Sequence, residues 1–144
     1  MIFKRKPSPV KFAWHRYPPS LNSINWSEAD IQSWIVKNLR DWQEEEPGVF
    51  EFEAGMEGIK LTPRAAMKAK SLGMGNGFTD LKFYLSGGRM CLIELKRKKG
   101  VLTGSQKERH PKLAMLGFTV HVVKATTPSD GLSQVLTILR GYGV

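Results

Sequence analysis

Three residues that could carry acid–base or metal chemistry lie close together in the sequence: Asp80, Glu94 and Lys96. They fall in GFTDLKFYLSGGRMCLIELKRKKG, residues 77–100, where apolar runs surround them. After Gly58 the chain has four acidic residues against fifteen lysines and arginines, so two carboxylates inside these apolar runs stand out. Two carboxylates that lie close together repel each other, and they need a cation between them.

The spacing of these residues predicts that they meet at one edge of a β-hairpin. Side chains two residues apart on a strand share a face, so Glu94 and Lys96 point the same way. If residues 86–88 form a three-residue loop, the register places Asp80 opposite Glu94. A two-residue loop would place Asp80 on the wrong face, unless a bulge corrected it.

This set of side chains suits one kind of chemistry. Lys96 can compensate one carboxylate, but a divalent metal compensates better, and hard oxygen ligands select Mg²⁺ or Mn²⁺. Such a metal holds a phosphate oxygen and lowers the pKa of a bound water. Lys96 would then orient that water or offset developing negative charge. The side chains therefore predict phosphodiester hydrolysis.

The elements that position these residues can be predicted from periodicity and capping signals. A helix is predicted from Ser27, where SEAD forms a capping box, to about Trp42, and it stops before Pro47. The later segments are, in order, strand VFEFEAG, helix TPRAAMKAKSLG, hairpin strands FTDLKFYL and RMCLIELK, helix TGSQKERHPKLAMLG, strand FTVHVVKA and helix PSDGLSQVLTILRGYG.

The order of elements is therefore helix, strand, helix, hairpin, helix, strand, helix. The connection from the second hairpin strand through a helix to the next strand requires a parallel crossover. Together with the antiparallel hairpin, this predicts an α/β fold, a mixed central β-sheet flanked by helices on both faces. No linker divides residues 26–144, which we expect to form one domain.

Residues 1–25 have a different character. They contain four prolines and no periodicity, which predicts a basic, irregular N-terminal arm. The aromatic residues of this arm could stack on nucleic-acid bases, or they could dock on the domain or on a second subunit; they are Phe3, Phe12, Trp14 and Tyr17.

The charge distribution favours a polyanionic partner. Net charge is +9, and the first 20 residues have five basic residues and no acid. Residues 26–57 have nine acids against two bases, and the chain is basic again from Lys60. Such segregation favours nucleic acid over an ordinary solvated surface, which is the alternative.

Composition also limits the compartment. The lone Cys91 cannot form an internal disulfide, which is typical of a reducing environment. No apolar run approaches the length of a bilayer span, and the basic N-terminus is not followed by a signal-type apolar stretch. We therefore expect a cytoplasmic protein that is not secreted and has no membrane partner.

The residues described first resemble a known signature. Asp80, thirteen intervening residues and then Glu94-Leu95-Lys96 resemble the PD-(D/E)XK nuclease motif. The surrounding AMKAKSLGMGNGFTDL and CLIELKRKKGVLTGSQKERHPKLAMLGFTVHVVK resemble one branch of it, the virus-type replication-repair nuclease (VRR-NUC) domain, over roughly residues 27–125. The sequence departs from the family's pattern at two positions. Thr79 stands where the family usually has proline, and Pro111 lies inside a helix that it should kink or split.

The resemblance implies a restriction-endonuclease-like core and a bound Mg²⁺ or Mn²⁺. Asp80, Glu94 and the backbone carbonyl of Leu95 would hold the metal, and Lys96 would be the catalytic lysine. Glu28 matches an acid on the first helix that usually joins the site, so it is a further candidate ligand and catalytic residue. Its alternative role is that of a first-turn acid favoured by the helix dipole.

Gln106 matches the family's helix glutamine, which is expected near the metal or the scissile phosphate. Its alternative role is local, because Thr103 and Gln106 have the spacing of a capping box. Basic residues after the motif and on the same helix are expected to contact DNA; they are Arg97, Lys98, Lys99, Lys107 and Arg109. Cys91 is expected to be buried packing, and the three histidines are too scattered for a histidine metal site.

The function implied by the resemblance is a metal-dependent DNA endonuclease. Free-standing members of this family look like Holliday-junction resolvases, which are homodimers that cut branched DNA in repair and recombination, many of them encoded by phages. A phage-encoded protein of this kind would act in the host cytoplasm. The alternatives are a nuclease that acts on flaps, ends or duplex DNA, and a non-catalytic nucleic-acid-binding module with the same fold.

Overall fold

A computed structural model describes residues 26–55 and 61–144. Its helices are α1 (Glu28–Glu45), α2 (Pro63–Ser71), α3 (Gly104–Met115) and α4 (Pro128–Gly141). Its strands are β1 (Glu51–Ala54), β2 (Leu81–Leu85), β3 (Arg89–Arg97) and β4 (Val120–Ala125). The predicted order of elements is confirmed. The N-terminal arm, with its aromatic and basic residues, lies outside the described residues, so the expectations for it stay predictions.

The four strands form one mixed sheet in the order β1-β2-β3-β4. β2 pairs antiparallel with β1 and β3, and β4 pairs parallel with β3. In the hairpin, Leu85 lies opposite Arg89, so residues 86–88 form the predicted three-residue loop. Gly87 and Gly88 supply the positive φ angles, 77° and 70°, that this loop requires. The predicted register and the mixed sheet are both confirmed.

Helix α1 begins with the predicted capping box. The Asp30 N–H donates to the Ser27 hydroxyl, and the Ser27 N–H donates to the Asp30 carboxylate, both at 3.1 Å. The helix continues to Glu45, beyond the predicted end near Trp42, because glutamates favour helix and the first breaker is Pro47. Among the described residues, no helix has both the length and the apolar character that crossing a bilayer requires.

Helix α3 corrects one expectation. Pro111 predicts a kink or a split, but Gly104–Met115 form one helix that includes it. Proline removes the backbone N–H that would bond the carbonyl of Lys107, four residues earlier. Lys107 is exposed, so water can satisfy that carbonyl and the helix continues. The prediction of a split is wrong.

The core lies on one face of the sheet, where α1 and α4 pack against each other and against β3. We call this the core face. The buried sheet side chains of this face are Leu81, Phe83, Leu85, Cys91, Ile93, Leu95, Val123 and Ala125. The helix side chains buried with them include Ile31, Ile35, Leu39, Leu132, Val135 and Leu139.

We call the opposite face of the sheet the open face; its side chains are Lys82, Tyr84, Glu94, Lys96, Val122 and Lys124. Helix α3 contacts this face, because the Gln106 side chain donates a hydrogen bond to Glu94. Tyr84 and Val122 nevertheless remain 45% and 39% exposed. Helices therefore flank both faces, as predicted, but α3 covers only part of the open face.

Candidate active site

Asp80 lies immediately before β2 and is buried, with 8% of its surface exposed. Its carboxylate oxygen Oδ2 accepts a hydrogen bond of 2.7 Å from the Leu95 N–H on β3. Its backbone carbonyl accepts a bond of the same length from the Gly55 N–H after β1. Asp80 is thus held from both neighbouring strands. Thr79, in the position of the family's usual proline, is also buried, and its hydroxyl donates to the Leu81 carbonyl.

Glu94 lies on the open face of β3 and is fully buried. Its Oε1 accepts a hydrogen bond from the Gln106 side chain, and its Oε2 is 3.6 Å from Nε2 of His110. Gln106 and His110 are one helical turn apart on α3, so a single helix face covers the Glu94 carboxylate. Burial of a carboxylate requires such polar partners, since an isolated buried charge is very costly.

Gln106 forms the predicted helix cap and also contacts the buried Glu94 carboxylate. Its Oε1 accepts a 2.9 Å hydrogen bond from the Thr103 N–H, and the Thr103 hydroxyl accepts from the Gln106 N–H. This is the predicted capping box. The other end of the same amide, Nε2, donates to Glu94. The helix cap therefore also orients the group that contacts the site.

Lys96 is two residues beyond Glu94 on the same strand and face, and it is 7% exposed. Its charge acts on His110, whose pKa is lowered first by burial and then by Lys96, against an opposing effect from Asp80. Gln106 contacts Glu94, Lys96 follows Glu94 on the same face of β3, and Asp80 is hydrogen-bonded to Leu95, the residue between them.

Glu28 lies at the start of α1 and is half-buried. Its Oε1 accepts a 3.3 Å hydrogen bond from the Arg97 N–H at the end of β3. A Cβ at Gly100 would come within 3.3 Å of the same oxygen, so Glu28 packs closely against the turn after β3. In residues 26–55 and 61–144, no group of three His, Cys, Asp or Glu side chains could hold a metal ion.

The basic residues predicted to contact DNA differ in their surroundings. Arg97, Lys98, Lys99 and Lys107 are exposed. Arg109 is half-buried, and its guanidinium carbon lies 4.3 Å from the centre of the Phe78 ring. The structure therefore leaves four of the five side chains open to solvent and gives the fifth a partner within the protein.

Sequence reasoning missed two residues of this region. His110 was set aside because the histidines are scattered along the chain, yet its spacing from Gln106 places both on one helix face. Lys124 lies beside Lys96 in the parallel register of β3 and β4 and is exposed. Its position depends on strand pairing across a crossover, for which the sequence carries no local signal.

Cys91 and His121 lie away from these groups, and Cys91 is buried as predicted. Cys91 is buried on the core face, and burial raises the pKa of its thiol to about 11. A thiol with so high a pKa is a poor nucleophile at neutral pH. The His121 ring nitrogen Nε2 is 2.8 Å from the Tyr142 hydroxyl, which is a structural hydrogen bond.

The comparison with solved structures decides the fold. A VRR_NUC domain protein superposes with a TM-score of 0.55 over 83% of this chain and 89% of that one, at 20% sequence identity. The chain has the same fold as that VRR_NUC domain protein. The predicted fold class and the predicted resemblance are thereby confirmed at the level of structure. No protein-family profile and no curated protein matches the sequence.

Proposed function

We propose that the chain is a metal-dependent DNA endonuclease that hydrolyses phosphodiester bonds in branched DNA. The observation that carries the proposal is the burial of Asp80, Glu94 and Lys96, with Asp80 hydrogen-bonded to Leu95 between the other two. Buried carboxylates contribute little to stability unless they are compensated, so their presence needs a chemical reason. The similarity to a VRR_NUC domain protein supports a nuclease.

The side chains of this edge fit a small hard cation. Asp80 and Glu94 offer carboxylate oxygens, which are the ligands that hard divalent cations prefer. The N–H and C=O of one strand residue point to the same neighbouring strand, so the Leu95 carbonyl faces the side of Asp80. Two carboxylates and one carbonyl suit Mg²⁺ or Mn²⁺, which keep several water ligands. Glu28 would be a third carboxylate, but the described residues place no three His, Cys, Asp or Glu side chains close enough for one metal, and Glu28 accepts from the Arg97 N–H instead.

A cation bound there would neutralise charge on the phosphate and acidify a bound water. The protein's own groups do the remaining work. Lys96 presents a buried ammonium group beside the carboxylates, where it can orient a water and offset negative charge that develops on the phosphate. Gln106 holds Glu94 in one orientation through its amide. Burial of these groups keeps competing water away and strengthens their electrostatic effects.

The choice of DNA as substrate is supported by charge. Arg97, Lys98 and Lys99 are exposed directly after Lys96, so a phosphate backbone at the site would lie beside three further cations. Lys107 on α3 extends this basic surface. These side chains suit contacts with the backbone, which recognise shape and not base sequence. A homodimer would supply two sites for the two strands of a junction.

The proposal is tested by incubating the protein with four-way junction, flapped, single-stranded and linear duplex DNA, with Mg²⁺, with Mn²⁺ and with EDTA. We expect junction cleavage that requires the metal. Asp80→Ala and Lys96→Ala should each lower the cleavage rate by about 100-fold or more while junction binding persists.

Exposed Lys112 provides the matched control, because it pairs with Glu108 on α3. Lys112→Ala should cleave as the wild type does. Cleavage by Asp80→Ala at the wild-type rate would remove the site assignment. A preference for flaps, ends or duplex DNA would change the substrate, and junction binding without any cleavage would identify a binding module. Analytical ultracentrifugation tests the dimer, and a monomer at micromolar concentration would contradict it.

A further inference from the structure

The segment that leads into Asp80 is in backbone contact with α3. Gly77 is buried and has a φ of 77°. A Cβ at this position would overlap the carbonyl oxygen of Ser105 and lie 3.0 Å from the Gln106 nitrogen. Only glycine allows this approach, because the positive φ and the close contact both disfavour a side chain. The first turn of α3 and residues 75–79 therefore form one packed unit.

Arg109 joins the same two elements a turn further along. Its guanidinium stacks on the Phe78 ring at 4.3 Å, and its Nε–H donates a 3.3 Å hydrogen bond to the Asn76 carbonyl. A Cβ at Gly75 would come 3.5 Å from one of its terminal nitrogens, so the segment follows the guanidinium closely. A planar guanidinium can stack on a ring and donate in its own plane at once, which an ammonium group cannot.

A second cation links Phe78 to the sheet. Nζ of Lys82 on β2 lies 5.3 Å from the centre of the Phe78 ring and 3.4 Å from the Glu53 carboxylate on β1. Phe78 thus contacts a cation from α3 and a cation from the sheet. Phe78 is two residues before Asp80, so these contacts restrain the backbone that carries the carboxylate.

We propose that Arg109 is a positioning residue that sets the placement of Asp80 against Glu94. Helix α3 already fixes Glu94 through Gln106, and Arg109 attaches the segment bearing Asp80 to that same helix. The two carboxylates are therefore positioned from one element. This role replaces the DNA contact that the sequence predicts for Arg109. The expected effect of Arg109 on metal binding rests on the proposed function. The structural part of the proposal, that Arg109 restrains the segment bearing Asp80, does not.

The structural part is tested in the metal-free protein by hydrogen exchange of the Leu95 amide, which bonds the Asp80 carboxylate. Arg109→Ala and Phe78→Leu should each speed its exchange about 10-fold, with Arg109→Lys between them and the wild type. Lys112→Ala removes a cation from the same helix without touching Phe78, and it should change exchange less than about twofold. The Val135 amide in the core is the internal reference for global unfolding.

Two binding measurements separate positioning from DNA contact. With Arg109→Ala we expect Mn²⁺ to bind about fivefold more weakly in the absence of DNA, while junction affinity in EDTA stays within about twofold of wild type. Unchanged Leu95 exchange together with a loss of junction affinity like that of Lys107→Ala would overturn the proposal. If wild-type protein binds no Mn²⁺, the proposed nuclease function fails, and the exchange of the Leu95 amide still decides the role of Arg109.

Discussion

The two faces of the sheet use neighbouring residues for opposite purposes. On the core face, β2 and β3 present Phe83 and Ile93, which are fully buried against α1 and α4. On the open face the same strands present Tyr84, which is 45% exposed, and Glu94, which is buried under α3 among polar groups. Stability should therefore depend on the core face, and chemistry should depend on the open face.

Strand β3 contributes buried side chains to both faces. Residues 91–96 are all buried, although alternate side chains point to opposite faces. Ile93 and Leu95 contribute apolar area to the core, while Glu94 and Lys96 require compensation by hydrogen bonds and charge. The apolar neighbours hold the strand rigid, so that the polar residues keep one geometry. A site built on a strand of the core is more precise than one built on a loop.

The largest effect should be on folding stability, where a variant at Phe83 should lose much more than a variant at its neighbour Tyr84. Phe83→Ala removes a fully buried ring that packs edge-to-face with Phe50 and stacks on Phe52, so it should lower the free energy of unfolding by about 3–5 kcal/mol. Tyr84→Ala on the open face should cost less than about 1 kcal/mol, since it loses an exposed contact with Glu53. Urea denaturation measures both. Equal losses would show that the open face is also core.

The next largest effect should be a loss of cleavage without a loss of folding stability. Glu94→Gln keeps the side-chain shape and an oxygen that accepts from Gln106, so the free energy of unfolding should stay within about 1 kcal/mol of wild type. Junction cleavage should nevertheless fall by about 100-fold, because the charge is lost. Denaturation and a cleavage assay on the same preparation check this. A loss of stability like that of Phe83→Ala would contradict the division between the faces.

A smaller effect should define the role of Glu28. The hydrogen bond from the Arg97 N–H can be accepted by glutamine but not by alanine. If Glu28 acts mainly by holding the end of β3, Glu28→Gln should bind Mn²⁺ within about twofold of wild type and Glu28→Ala about fivefold more weakly. Isothermal titration calorimetry gives both affinities. A loss by Glu28→Gln equal to that of Glu28→Ala would identify the carboxylate as a metal ligand.

The smallest effect concerns pH and the core face. Burial lowers the pKa of His121 below its ordinary value of 6.5, so the unfolded chain takes up a proton at a higher pH than the folded chain. The free energy of unfolding should therefore decrease as pH falls below 6.5 and level off below the folded-state pKa. His121→Gln should reduce this slope. His110, whose pKa is also lowered, contributes in the same direction. An unfolding free energy that rises on acidification would contradict this.

Much of the fold was predictable because its signals are local. The capping boxes at Ser27 and Thr103 are recognised over four residues, and the loop at residues 86–88 fixes the register of the hairpin through its length. That register, taken from the sequence alone, predicts that Asp80 lies opposite Glu94.

The remaining features depend on how α3 docks, and no local pattern encodes that. His110 reaches Glu94, and Arg109 reaches Phe78, only because Gly77 lets the helix approach the segment before β2. Pro111 predicts a break in isolation, but the helix around it is supported by contacts at its first turn. Tertiary packing overrides local propensity at these positions.

The Gln106 side chain caps helix α3 and also orients the buried Glu94 carboxylate, so the two depend on each other. One amide accepts the Thr103 N–H with its oxygen and donates to Glu94 with its nitrogen. If the first turn of α3 frays, Glu94 loses its donor at the same moment. Order at this helix terminus is therefore coupled to the orientation of Glu94. Under the proposed function, molecules with a frayed terminus would not cleave DNA although they are otherwise folded.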